Sequence, residues 1–497
     1  MQTENCDVVV VGFGNAAQAA AFSAHRGGGA RVLVLEKAPH AKRGGNTSYS
    51  YGAQFRHVHN GIADVKPLLP HISEKEWGKI DLAAYTKDDF YADMMRVTRG
   101  KAVPELAELL VNESYPTVKW MRESGIQWEI LYSAAVPDGE RFRWHHGSSF
   151  IHSKDGGFGL VEMWQRILER QGIEIRFGAA AVRLLTDEKA RVCGLVAQNS
   201  DGLMEIHCKG VVLACGGFQA NPAMRAQFLG SGWDLGKVRG SKYDTGDGIQ
   251  MALDSGAQPF GHWGGSHATP IDADAGDYEA GFLDPANRRH RTHRYGWTLG
   301  IMVNTEGRRF IDEGEDFNAY TYAKTGAEII KQPGSVAYQI FDVKLKEAID
   351  RYLYQGATPI VANSIRDLAE KLEISPDVLV QTVEQFNEAV VEDRPFNEVI
   401  RDGRATKGIY PPKTNWAQKI DIPPYTAYAV ASGLTFTYGG LKINTSCQVL
   451  NRLDQPIAGL YAAGELTGGF FYYNYPSGSG LMRGAVTGRI AGQNAAS

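Results

Sequence analysis

Asp7-Val8-Val9-Val10-Val11-Gly12-Phe13-Gly14-Asn15-Ala16-Ala17 is the stretch that decides the fold. A β-branched run of this length suits a buried parallel strand, and it stops at two glycines before the alanine-rich segment Gln18 to His25. The order this predicts is strand, glycine turn, helix. Gly12 permits the tight turn, Gly14 lets a pyrophosphate approach the backbone, and Ala17, where a third glycine often stands, keeps helix and strand close. The start of the helix, at Asn15 and Ala16, then faces the phosphates. A second strand, Arg31-Val32-Leu33-Val34-Leu35, closes on Glu36 and Lys37. An acid about twenty residues past the turn bonds ribose hydroxyls and argues against a 2′-phosphate. The pattern predicts dinucleotide binding.

Further along, glycine segments return the chain to the same ligand. Arg43-Gly44-Gly45-Asn46-Thr47-Ser48 offers a second backbone cradle. Val211-Val212-Leu213-Ala214-Cys215-Gly216-Gly217-Phe218 reads as another buried strand ending in glycines, followed by Thr245-Gly246-Asp247-Gly248-Ile249. Gly459-Leu460-Tyr461-Ala462-Ala463-Gly464-Glu465 is a third, and Ser477-Gly478-Ser479-Gly480-Leu481 opens a small-residue helix. A nicotinamide fold does not need this last return.

Composition narrows the partners. The chain has 497 residues, 43% hydrophobic and 22% charged, an ordinary globular balance that excludes collagen-like, coiled-coil and disordered classes. The net charge of −4 is too near neutral for a nucleic-acid binder or an anionic-membrane binder. Small molecules are the expected partners. Five scattered cysteines show neither zinc nor haem nor iron–sulfur spacing, and Arg141-Phe142-Arg143-Trp144-His145-His146 lacks further ligands, so no metal is expected. The absence of a signal sequence and of a long apolar run predicts a cytoplasmic protein without a membrane span.

Taken together, G-x-G-x-x-A with Glu36, R-G-G-N-T, A-C-G-G-F, T-G-D-G-I and G-L-Y-A-A-G-E resemble the FAD-binding motifs of the fumarate reductase/succinate dehydrogenase flavoprotein family, over nearly the whole chain. D-F-Y-A-D, G-R-R-F-I-D-E-G-E-D-F-N-A-Y-T-Y-A and L-M-R-G-A-V-T-G-R-I-A-G are most similar to its tricarballylate dehydrogenase subgroup. The resemblance implies an α/β fold: a Rossmann-like FAD-binding domain over residues 1–264 and 437–497, with an inserted α+β cap, or clamp, over 265–436. The cap is expected to close over the flavin and exclude water. It is expected to be partly helical, with helices starting at Ser364 and at Ser375-Pro376.

By this resemblance, FAD is held at Gly12, Gly14, Asn15, Ala16, Ala17, Glu36, Lys37, Gly44, Gly45, Asn46, Thr47, Ala214, Gly216, Gly217, Asp247, Gly464 and Glu465. The helix after Ser479, Gly480 and Leu481 aims its N-terminus at the flavin N1/O2 edge. The family's flavin-linking histidine has no counterpart, so the FAD is expected to be non-covalent.

The chain departs from fumarate reductases where they bind substrate. Phe317 stands in place of their proton-donating arginine, Phe436 in place of a histidine before Thr437-Tyr438-Gly439-Gly440, and Tyr475 in place of a carboxylate-binding arginine. His267, Arg294, Tyr438 and Phe317 form the expected substrate-binding set. Tyr475-Pro476-Ser477-Gly478-Ser479 is similar to the Y-P-x-x-G loop of 3-ketosteroid dehydrogenases. That likeness implies that the Tyr475 hydroxyl and the Ser479 backbone hold a ketone oxygen, opposite a tyrosine base. Tyr320 is the favoured base, with Tyr322 and Tyr295 as alternatives.

The expected function is an FAD-dependent dehydrogenase or reductase that forms or reduces the Cα–Cβ double bond next to a carbonyl, with hydride passing to or from flavin N5. A cyclic ketone is the favoured substrate, giving an enone, and a tricarballylate-like polycarboxylate is the alternative. An electron-transfer flavoprotein without substrate turnover is the reading of another class. The electron acceptor or donor is not identified by the sequence. The basic run Arg288-Arg289-His290-Arg291-Thr292-His293-Arg294 is either a clamp for an anionic substrate or a solvated face.

Overall fold

The computed structural model describes residues 2–50, 52–280, 292–350, 354 and 356–497, so Arg288 to Arg291 of the basic run lie outside the described residues. Val8–Val11 forms the buried strand expected, 0 to 6% exposed. It lies between two parallel neighbours, Val32–Glu36 on one side and Gly210–Leu213 on the other. The six-stranded sheet continues through Glu174–Phe177 beyond Val32–Glu36, and through Pro456–Ala462 and the antiparallel Gln448–Leu450 beyond Gly210–Leu213. A strand buried on both faces and bonded on both edges has no use for polar side chains, which is why the run is all valine. The segments following the parallel strands carry the glycine motifs, at the end of the sheet where α/β folds bind ligands.

The turn after the first strand needs glycine for a local reason. Gly12 has φ +108°, and a Cβ there would sit 2.5 Å from the Ala214 carbonyl oxygen. The helix Asn15–Arg26 follows, packed against the final helix Ser479–Ala495. Their small residues allow this closeness. A Cβ on Gly488 would run into the Ala16 carbonyl, and one on Gly492 into the Ala20 carbonyl. Ser23 Oγ donates to the Arg489 carbonyl at 2.7 Å along the same seam.

The chain divides into two compact units. One comprises Met1–Ser231, Gly240–Ser266 and Phe436–Ser497, and the other Gly232–Arg239 and His267–Thr435. The excursion Gly232–Arg239 was not expected. It belongs to the second unit because Lys237 and Val238 pair in parallel with Gly433 and Leu434. The sheet of this region runs Lys237–Val238, Tyr425–Leu441, Val336–Phe341, Ile301–Asn304, with Pro259–Asp272 and Ile360–Ala362 also on Tyr425–Leu441. Helices Ile365–Lys371 and Pro376–Ala389 bury Leu368, Leu379, Val383 and Phe386 in one core with Ile301 and Ile340. Ser364 caps the first of them, accepting the Asp367 N–H at 3.0 Å. Among the described residues no helix is long and apolar enough to cross a membrane.

Gly492→Val is expected to destabilise the protein by about 1–3 kcal/mol, because the added methyls have no space against the Ala20 carbonyl. Gly28→Ala, whose Cβ meets nothing within 4 Å, should stay within about 0.5 kcal/mol. Chemical denaturation of both variants checks the contrast.

Candidate active site

The start of the first helix is tied to two distant segments by Asn15. Its N–H donates to Thr47 Oγ1 at 3.0 Å and its Nδ2 to the Leu481 carbonyl at 2.9 Å. Its Oδ1 accepts Trp164 Nε1–H at 3.2 Å. Asn15 therefore fixes the R-G-G-N-T turn and the final helix around the first turn. Gly14 caps the helix in extended conformation, and a Cβ there would only reach ordinary contact with Thr47 Oγ1, at 3.4 Å. Asn46 is committed to structure, its Oδ1 accepting the Ser241 N–H at 2.8 Å. Gly44, at φ +99°, leaves room for Val161. Trp164 and Val161 lie on the helix Gly156–Arg170, which sequence reading passed over.

Around the sheet ends lie buried carboxyls. Glu36 Oε1 accepts the Ala38 N–H at 2.7 Å, and burial pushes its pKa up. Asp244, not anticipated from sequence, accepts Gln219 Nε2 at 2.9 Å, and the same amide lies 3.4 Å from Glu465 Oε2. Burial, together with the charges of Glu465 and Glu36, raises Asp244 well above the usual carboxylate range. Glu465 is pushed up to about 7, chiefly by burial, although it accepts the Thr437 N–H at 3.0 Å. Gly216 and Gly217 stand beside these acids because a Cβ on either would collide with Asp244 or Glu465. Lys37 and Asp247, both expected along the cofactor, are ion-paired to one another at 2.6 Å.

These residues fit FAD. Glu36, Asp244 and Glu465 offer acceptors to hydroxyl groups, Gly14 leaves its backbone open, and Gln219 Oε1 is buried with no protein partner among the described residues. Glu36, Gly14, Gly216, Gly217, Gln219 and Glu465 would hold it.

Tyr475 is 5% exposed, its ring 5.0 Å from Phe436 and 5.2 Å from Phe471. Tyr438 is fully buried behind Phe436, ring to ring at 5.5 Å. A Cβ on Gly480 would touch both Phe436 and Tyr475, so these rings sit at the N-terminus of the final helix. The Ser479 N–H, expected to face a ketone, is instead bonded to the Pro476 carbonyl at 3.1 Å, closing the turn. What Ser479 still presents is its Oγ, fully buried with no protein partner among the described residues.

The loop carrying Tyr475 is clamped from outside. Arg56 Nε donates to the Ser477 carbonyl at 2.7 Å and Nη1 to Tyr85 Oη at 2.8 Å, while Tyr85 donates to Asp93 at 2.8 Å. Asp93 is the last residue of D-F-Y-A-D, so this motif serves the loop through Arg56. Sequence alone gave Arg56 no role.

In the second unit a buried polar cluster surrounds His267, which is 1% exposed. Its ring meets Tyr322 at 4.8 Å, and Tyr322 meets Tyr295 at 5.5 Å. Tyr320 is buried, but two positions before Tyr322 it lies on the opposite side of the helix Asn318–Ile329. Arg239 Nε donates to Thr435 Oγ1 at 2.8 Å, and its Nη1 bonds His293 Nε2. Arginine cannot accept, so Nε2 does, leaving His293 neutral with its proton on Nδ1. Burial and the Arg239 charge hold His267 well below its ordinary pKa, so it is neutral. Burial raises Tyr295, opposed by Arg239 and by a hydrogen bond with Thr269.

Two expected substrate residues have partners within the second unit. Arg294 is fully buried and forked onto Asp272, with Nε–Oδ1 2.7 Å and Nη2 on Oδ2. Arg239 is a cation of the cluster, on His293. Phe317 begins the helix carrying Tyr322 and packs on Trp416 at 5.4 Å. Among the described residues no group of three or more His, Cys, Asp or Glu could hold a metal ion.

Comparison with known proteins places this geometry. Residues 78–481 match the family described as FAD binding domain, and the chain belongs to it. It is 30% identical to a probable fumarate reductase of Shewanella frigidimarina, over 99% of this chain and 75% of the relative. It is 29% identical to an NADH:fumarate oxidoreductase of Klebsiella pneumoniae, over 99% of this chain but 47% of that longer protein. The structure of a 3-ketosteroid Δ1-dehydrogenase from Sterolibacterium denitrificans superposes with a TM-score of 0.74 at 21% identity, covering 99% of each chain, a likeness of fold. The protein is an FAD-dependent oxidoreductase acting on carbon–carbon bonds.

Arg294→Ala is expected to cost about 3–5 kcal/mol of stability by stranding Asp272, read by denaturant melting. Glu465 has a folded pKa near 7 against an ordinary 4.5, so deprotonation disfavours the fold. Stability falls as pH rises from about 4.5 through about 7, and the loss is complete above. FAD-stripped Glu465→Gln should therefore melt higher than FAD-stripped wild type at pH 8, with the gap closing below pH 4.5.

Proposed function

We propose that this oxidoreductase forms or reduces the Cα–Cβ double bond beside a carbonyl group, with a cyclic ketone as the favoured substrate. The observation that carries the reading is Tyr475: a phenol packed against Phe436 at the start of the final helix, on a loop locked by Arg56. Loss of a hydride from the β-carbon requires loss of the α-proton, and negative charge then builds on the carbonyl oxygen. Donors already aimed at that oxygen stabilise this charge without reorganising. Tyr475 is one donor and the Ser479 hydroxyl the second, in place of the Ser479 N–H. FAD, when bound, accepts or returns the hydride.

The proton falls to a tyrosine base. Tyr322 and Tyr295 are favoured over Tyr320, because both sit in the ring cluster with His267, and the Arg239 charge partly offsets the burial that raises the Tyr295 pKa. The neutral His267 cannot clamp a carboxylate by charge, and Arg294 is occupied by Asp272. A ketone asks for neither. A polycarboxylate is the second reading, and the observation favouring it is the buried guanidinium of Arg239. Electrons would reach or leave the flavin through a separate carrier.

Anaerobic titration of the FAD-loaded protein with cyclic ketones, and separately with tricarballylate, tests this. Bleaching of the flavin by a ketone is expected, and Tyr475→Phe should slow it by about 10²–10³-fold with bound FAD unchanged. Bleaching by tricarballylate alone, or an unaltered rate in Tyr475→Phe, defeats the ketone reading.

A further inference from the structure

The first turns of the final helix hold a second buried polar atom with no protein partner among the described residues, Arg483 Nε, in addition to Ser479 Oγ. The two residues are 0% and 2% exposed. Four positions apart, they share one face of the helix. Arg483 Nη1 reaches the Thr467 carbonyl at a long 3.4 Å. The guanidinium lies over Phe471 at 4.8 Å, Phe436 at 5.6 Å and Phe470 at 5.8 Å. Phe436 and Phe471 are also the rings against which Tyr475 packs.

Two arginines of this chain have guanidiniums closed off by acids, whereas Arg489, like Arg483, keeps a buried Nε with no protein partner among the described residues. Arg294 is forked onto Asp272, and Arg309 is forked onto Glu313 while also bonding the carbonyls of Pro411 and Pro412. Arg483 is not closed off in this way. Glu465, whose charge acts on Arg483, also accepts the Thr437 N–H. Walls of aromatic rings keep the dielectric low, so the charge acts strongly at short range. The helix N-terminus adds positive potential on the same side. Tyr475 and Tyr438 both feel the Arg483 charge.

We infer that Arg483, Ser479 Oγ and the Tyr475 hydroxyl form an oxyanion pocket that receives a negatively charged oxygen of the substrate. The pocket deepens the function proposed above and rests on it for the role of Tyr475. Two sources supply such an oxygen: the enolate that develops on a ketone as its α-proton leaves, or a carboxylate already present in the ground state. Both are recognised by the same donors, and the affinities of simple analogues separate them.

The test uses the FAD-loaded protein and its Arg483→Met, Arg483→Lys and Ser479→Ala variants, each first assayed for bound FAD. Pentafluorophenolate mimics an enolate, cyclohexanecarboxylate supplies a carboxylate, and cyclohexanone is the neutral control. Binding is read as perturbation of the flavin absorbance. Arg483→Met should lose at least about tenfold in affinity for the anions. Ser479→Ala should lose about three- to tenfold, as for deletion of one charge-assisted hydrogen bond. Arg483→Lys should retain most of the affinity, and cyclohexanone binding should move less than about threefold in every variant. Tighter binding of the phenolate assigns the pocket to the enolate, and tighter binding of the carboxylate to a ground-state acid.

Unchanged anion affinity in Arg483→Met and Ser479→Ala overturns the inference. So does an equal loss for cyclohexanone, which would mean a general collapse of the site. Should Arg483→Met fail to retain FAD, Ser479→Ala and Arg483→Lys decide alone. None of these readings needs turnover, so a failure of the ketone reaction and a failure of the pocket are seen separately.

Discussion

One asparagine side chain, with its own N–H, holds together what the rest of the site depends on. Asn15 bonds Thr47, Leu481 and Trp164, residues far apart in sequence that meet at the first turn of the first helix. Each bond contributes only about 0.5–1.5 kcal/mol. Their joint effect is geometric: the glycine turn, the second cradle and the helix that carries Ser479 and Arg483 are fixed relative to one another. The glycine seam of Gly488 and Gly492 lets the two helices come close enough for the Leu481 carbonyl to reach that amide.

The fold was largely legible because its determinants are local. Four valines and two glycines specify a strand and a turn through side-chain shape and φ preference alone. Ser364 announced its helix through the hydroxyl oxygen it offers to the Asp367 N–H. The Gly232–Arg239 excursion was invisible for the complementary reason: its membership of the second unit is set by pairing with Gly433 and Leu434, some two hundred residues away.

The site was legible in its backbone and less so in its charges. Glu36 and Glu465 stand at strand ends and could be named from sequence. Asp244, Arg56, Arg239 and Arg483 could not, because an arginine's role follows from what it faces, and nothing local to Arg294 distinguishes it from Arg239. Asp272 makes the difference, neutralising one and leaving the other to His293 and Thr435. Likewise the Ser479 N–H looked free until the turn closed it on Pro476. That turn has a bond pattern of its own, which a likeness to another family's loop does not carry across.

The two helices joined along the glycine seam are made at very different times. Ser479–Ala495 is synthesised more than 450 residues after Asn15–Arg26. At about 5–20 residues per second this is an interval of tens of seconds. Throughout it the small-residue face of the first helix has no partner, and the strand Val8–Val11 awaits Gly210–Leu213. The nucleotide-binding half therefore cannot be completed domain by domain as the chain is translated. Until Ser479–Ala495 arrives, the face of the first helix that it covers stays open.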